Sequence, residues 1–141
     1  MSAYKTIECD IVNKEILLSA LSLLNFVPNI HEEPQHLYGF KGDKREEKAE
    51  IIIPKEQINF FTGLSNDIGF IWNPDTEKYE MVVSDYDKAR KMHDRIIQAY
   101  VKEAIEKALE KNGYKIKVNI QDEEFLKRTM SEMEIVARKI I

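Results

Sequence analysis

From Tyr4 the chain alternates, with Ile7, Cys9 and Ile11 on one side and Thr6, Glu8 and Asp10 on the other. A period of two is the mark of a half-buried strand, so Tyr4–Ile11 is predicted as a strand with Ile7, Cys9 and Ile11 inward. The period then lengthens. Leu17, Ala20, Leu21 and Leu24 recur at i, i+3, i+4 and i+7, and Ile16, Leu18 and Leu23 widen the stripe. This predicts a well-buried helix over 14–25. Asn13 reads as its N-cap, with Glu15 in the first turn where the helix dipole favours a carboxylate. Asn25 and Pro28 end it.

"HEEPQHLYGFKGDKREEKAEIIIPKE" reads as a loop and then a hairpin, with strands over 35–40 and 49–53 joined by a charged connection that carries the turn pair Gly42-Asp43. Pro54 limits the second strand. "KEQINFFTGLSN" reads as an irregular excursion. A second hairpin follows, with strands over 68–73 and 79–84 around the turn residues Asn73, Pro74 and Asp75. In that register Ile68, Phe70 and Trp72 share a face with Tyr79, Met81 and Val83. Ala89, Met92, Ile96, Tyr100, Ala104 and Ala108 then form a helical stripe. It predicts one long helix over 88–111, capped by Asp85 or Asp87 and closed by Asn112-Gly113. "YKIKVNI" alternates as a strand, and residues 122–140 fit both a helical heptad and a strand.

Hairpins and short connections imply an antiparallel sheet, and two amphipathic helices would cover one face. The expected fold is α+β: strand–helix–strand twice over, a ferredoxin-like arrangement with an extra central hairpin, in a single domain over 1–141.

The 141 residues are 43% hydrophobic and 33% charged, which suits a globular domain rather than a disordered chain. No apolar run approaches the ~20 residues that span a bilayer, and "MSAYKTIECD" lacks a secretory pattern. A cytoplasmic location is the expectation, with no membrane partner. The net charge is −4, with the negative excess before Asp87 and a positive excess after it. That balance disfavours nucleic acid as a partner over the whole surface.

Candidate chemistry is sparse. Cys9 stands alone, flanked by Glu8 and Asp10, and reads as a small core hydrophobe. His31, Glu32, Glu33 and His36 have ligand chemistry but no recognised spacing, so no metal is expected. "SDYD", Ser84 to Asp87, could supply a base or equally a helix cap. Lys88, Arg90, Lys91 and Arg95 would oppose the dipole at a helix start, which makes that patch a candidate contact surface. No phosphate loop, dinucleotide fingerprint or nucleophile elbow occurs, and no cofactor is expected.

Several stretches together resemble the family of the hypothetical chloroplast open reading frame thirty-five, a domain of unknown function from plastids, cyanobacteria, other bacteria and phages. They are "YKTIECDI", "LLSALSLLNF", "LYGFKGDKREEKAEIIIP", "DIGFIWN", "KYEMVVSDYD" and "RIIQAYVKEAIEKALEKNGYKIKV". "KEQINFFTGLSN" looks longer than that family's link, and "DEEFLKRTMSE" replaces a short turn. The resemblance favours a final strand near 133–139. It implies an accessory role in an ATPase-linked assembly, with an AAA-type ATPase and a small companion protein as partners. It carries over no catalytic residues.

The expectation is therefore a non-enzymatic protein-binding module, with a homo-oligomer compatible with it. Its contact or pocket residues are taken from Asp67, Gly69, Phe70, Trp72, Tyr79, Asp85, Asp87, Arg90 and His93. One alternative is a small enzyme with an acidic pocket of Asp67, Asp85, Asp87 and His93, joined by Glu80. Another is single-stranded nucleic-acid binding by Tyr38, Phe40, Phe70 and Trp72.

Overall fold

A computed structural model describes residues 3–62 and 65–111. The elements run β1 (Tyr4–Ile11), α1 (Lys14–Leu23), β2 (Asn29–Tyr38), β3 (Lys44–Ile53), α2 (Lys55–Thr62), β4 (Ile68–Asn73), β5 (Lys78–Ser84), α3 (Asp85–Ala89) and α4 (Met92–Lys111). The strands form one sheet in the order β1-β5-β4-β3-β2, with every pair antiparallel. The β4–β5 hairpin is thus inserted between β1 and β3, and α1 carries the chain across the sheet from β1 to β2. This is the α+β plan expected from the pattern, with its central hairpin. The expected strand over 114–120, the cap at 112–113 and the tail at 122–140 lie outside the described residues.

The main core lies between the sheet and the helices. Ile16, Leu17, Ala20 and Leu21 of α1 meet Ile96, Tyr100 and Ala104 of α4 over Ile51, Ile53, Phe70, Met81 and Val83. The face assigned to the second hairpin is the observed one: Phe70 pairs with Met81 and Trp72 with Tyr79. Asn13 caps α1 by accepting the Ile16 N–H at 3.1 Å. The stripe is narrower than expected at its end, because Leu23 is half exposed.

Four expectations need correction. The first hairpin is longer, and "HEEPQH" belongs to β2 rather than to a loop. Its ladder is interrupted between Ile30 and Gln35, where Pro34 has no N–H to give. "KEQINFFT" is a helix, not an irregular link. The Lys55 N–H at its start is satisfied by Asp67, twelve residues later, at 2.8 Å, so the cap comes from tertiary structure. The long helix is two: Lys91 takes a left-handed φ of 59° and separates α3 from α4. The cap of α3 is Ser84, whose side chain accepts from the Asp87 N–H, while Asp85 and Asp87 sit in its first turn. This break also removes part of the dipole conflict, since Lys88 falls in the last turn of α3 where a cation is favourable.

The other face of the sheet carries a smaller core. Leu37, Ala49, Ile52 and Val82 are buried there, with Tyr4 and Ile71 against them. Ala49 and Ile52 share this face only because the hairpin bends, so that its outer half lies back across the sheet. Gly69 permits that approach. A Cβ on Gly69 would stand 2.6 Å from the Ala49 Cβ and 3.0 Å from Leu37 Cδ2, which is closer than carbon atoms can pack.

Candidate functional site

The sequence candidates divide between the two ends of the β4–β5 hairpin. At the open end, Asp67 precedes β4 and is 6% exposed. Its Oδ2 accepts the Tyr38 N–H at 2.9 Å and its Oδ1 accepts the Lys55 N–H at 2.8 Å. Its backbone N–H donates to the Tyr38 carbonyl at 3.0 Å, and its carbonyl accepts the Tyr4 hydroxyl at 2.7 Å. Burial pushes the Asp67 carboxyl above its usual range, against the two backbone N–H groups, which favour the charged form. Arg45 lies over the Tyr4 ring, 4.9 Å from its centroid. Tyr4, which pairs with β5, is thus tied to the bent hairpin and to the start of β4.

Asn66 extends the node. Its Oδ1 accepts the Phe40 N–H at 3.0 Å, its Nδ2 donates to Ser84 Oγ at 3.0 Å, and its N–H donates to Asp87 Oδ2 at 3.2 Å. Ser84 Oγ donates to the same Asp87 oxygen at 2.9 Å. Asp87 is fully buried, and its Oδ1 has no hydrogen-bond partner. The structure therefore brings Asp67 and Asp87 to neighbouring positions through Asn66. Asp85 is apart from them, exposed and 3.8 Å from Lys5 Nζ. Arg90 is exposed over the Tyr86 ring, and His93 Nε2 lies 3.3 Å from Asp94 Oδ1. Phe70 is fully buried beneath the helices, so it offers no face for a base to stack on. Glu80 accepts from Asn73 Nδ2 at 3.1 Å.

Trp72 and Tyr79 lie at the turn end of the hairpin. Five residues of strand separate Trp72 from Asp67, about 16 Å at ~3.3 Å per residue, so the two do not share a cleft. The two rings meet edge to face, with centroids 4.9 Å apart. They line an open cleft of about 500 Å³ together with Val12, Lys14, His31, Glu32, Glu50 and Ile51. The Trp72 backbone N–H donates to Glu50 Oε1 at 3.1 Å. Burial raises the Tyr79 phenol above its usual range, and the Glu50 and Glu15 carboxylates add to the effect. Sequence reasoning found the two aromatics but missed Glu50 and Lys14, whose only signal was their place beside a strand and a helix start. His31 and Glu32 were noticed for metal chemistry instead. Among the described residues no group of three or more His, Cys, Asp or Glu side chains could hold a metal ion. His36 is engaged elsewhere, its Nδ1 2.7 Å from the Arg45 carbonyl. No helix among the described residues is long and apolar enough to cross a membrane.

The family model described as "Protein of unknown function (DUF1257)" matches residues 20–129. That span is most of the chain, and the chain belongs to this family. No curated protein and no solved structure is significantly similar to it.

Proposed function

We propose that this DUF1257-family chain is a non-enzymatic protein-binding module that presents the Trp72–Tyr79 cleft to a partner. The observation that carries the reading is a half-buried tryptophan packed edge to face on a buried tyrosine, in a cleft open to solvent and flanked by charged side chains. Aromatic anchors in such settings dominate the energetics of protein interfaces. The same geometry weakens the acidic-pocket alternative. Asp67 is only 6% exposed and spends both oxygens on backbone N–H groups, while Asp85 faces Lys5 and His93 faces Asp94, and a general base must come within hydrogen-bond reach of its substrate.

The resemblance to the chloroplast open reading frame family supplies the partner class: an AAA-type ATPase, with a small companion protein, in which this chain would be an accessory. The test is co-elution of the purified full chain with an AAA-type ATPase and a small companion protein from the same cells. Trp72→Ala should abolish co-elution, Trp72→Phe should restore part of it, and Asp85→Asn should leave it intact. Circular dichroism would verify that each variant is folded. No co-elution with either protein, or co-elution indifferent to Trp72→Ala, would overturn the reading.

A further inference from the structure

The cleft carries more than an aromatic floor. Glu50 is held in place by one oxygen, which accepts the Trp72 backbone N–H at 3.1 Å. No hydrogen bond or ion pair among the described residues occupies its second oxygen, and none occupies Glu32 on the rim. The rise of the Tyr79 phenol, after its burial, comes from Glu50 and Glu15, so negative potential reaches the tyrosine hydroxyl. Among the described residues that line the cleft, the two carboxylates of Glu50 and Glu32 face the one ammonium of Lys14, and Glu15 adds negative potential at the tyrosine from beyond the lining. Negative potential beside aromatic π-faces is the setting that attracts an ammonium or guanidinium group.

We infer that the Trp72–Tyr79 cleft takes an arginine or lysine side chain presented by a segment of the partner protein, with Glu50 and Glu32 as its counter-charges. This rests on the reading of the cleft as the binding surface and names what it recognises. A peptide-borne side chain suits the site better than a buried small molecule. The cleft is open, lies across β2, β3, β4 and β5, and has Val12, 48% exposed, at its margin for the flanking residues of a segment. The partner's cation would be partly desolvated against the rings while Glu50 keeps a fixed direction, so charge and shape select together.

The chain's single tryptophan is Trp72, so its fluorescence reports this cleft alone. The experiment titrates the full chain with acetyl-Gly-Arg-Gly-amide, its lysine counterpart and the neutral citrulline isostere. The Trp72 indole N–H resonance is followed by NMR as a second readout. The arginine and lysine peptides should give saturable changes. Citrulline should bind roughly five- to tenfold more weakly, the difference expected of a partly desolvated cation on an aromatic face. Glu50→Gln should weaken the arginine peptide by several-fold and leave citrulline unchanged. Equal binding of citrulline and arginine would overturn the cation and leave the cleft as a binding surface. Spermidine binding as tightly as the arginine peptide would overturn the protein segment in favour of a free cation. Silence to every peptide in both readouts would overturn the inference, while co-elution with the ATPase or its companion decides the underlying reading separately.

Discussion

Tyr38 and Asp67 hold each other at both ends: the Tyr38 N–H donates to Asp67 Oδ2 at 2.9 Å, and the Asp67 N–H donates to the Tyr38 carbonyl at 3.0 Å. One residue ends β2 and the other precedes β4. Their exchange fastens the bent outer hairpin to the sheet, and Asp67 reaches on to the first N–H of α2. A carboxylate placed in this way organises backbone from three elements. Asp67→Ala strips the acceptor from two backbone N–H groups and should cost about 2–4 kcal/mol, from roughly 1–3 kcal/mol for each donor left unsatisfied. Urea denaturation of the two proteins measures it.

The same residue gives the protein a pH signature. Burial is the chief reason that the Asp67 carboxyl titrates above its ordinary value of 3.8. A group whose folded value lies above its unfolded one binds its proton more readily in the folded state. Its contribution to stability is therefore fully present below about 3.8 and is lost as pH rises through the raised value. Denaturation midpoints taken from pH 3 to pH 7 should show the advantage of wild type over Asp67→Asn shrinking with rising pH. An advantage that grows over that range would contradict burial as the dominant cause.

Gly69 is the contact point between the sheet and the folded-back hairpin. Gly69→Ala places a methyl group 2.6 Å from the Ala49 Cβ and should destabilise the fold by about 1–3 kcal/mol, as overpacking of a filled core does. The compensating pair Gly69→Ala with Ala49→Gly should recover part of the loss. If instead the two substitutions simply add, the hairpin does not press on Gly69 as described.

Tyr100 ties α4 to the β1–α1 junction. Its buried hydroxyl accepts the N–H groups of Val12 and Asn13, each at 3.1 Å. Tyr100→Phe keeps the ring and removes the acceptor, so thermal unfolding should register a loss of about 1–2 kcal/mol. Amide exchange at Val12 and Asn13 should quicken more than exchange in β5.

Cys9 is predicted to be a slow thiol. Its Sγ donates to the Tyr79 carbonyl at 3.2 Å, and burial, reinforced by Asp10 and Glu80, pushes its pKa up to about 11. The thiolate is the reactive form, so alkylation of the folded chain at pH 8 should run roughly a hundredfold slower than for an unperturbed cysteine. Denaturant should restore the ordinary rate.

How much of this was legible depends on the distance over which each feature is decided. The bounds of β1 and β4, the inward faces of β1 and the central hairpin, and the Asn13 cap follow from residues within one or two turns of each other. Period and capping chemistry are local, so the chain states them directly. The start of α2 was hidden because the acceptor for its Lys55 N–H sits on Asp67. The break at Lys91 was hidden because hydrophobic spacing continues across it while the backbone turns left-handed. The aromatic half of the cleft was legible, since Trp72 and Tyr79 are cross-strand partners in a hairpin the pattern predicts.

The sequence by itself determined β1, α1 and the central hairpin in their order, the faces that β1, β4 and β5 bury, and the presence of a glycine where only a glycine fits. Those properties rest on short-range sterics and on the hydrophobic period. Only the tertiary structure decided that Asp67 is a backbone anchor, that the first hairpin folds back over Gly69, and that Glu32 and Glu50 of separate strands flank one aromatic pair. Each of these needs residues brought together from distant parts of the chain, and side-chain burial and charge become specific only once that assembly has formed.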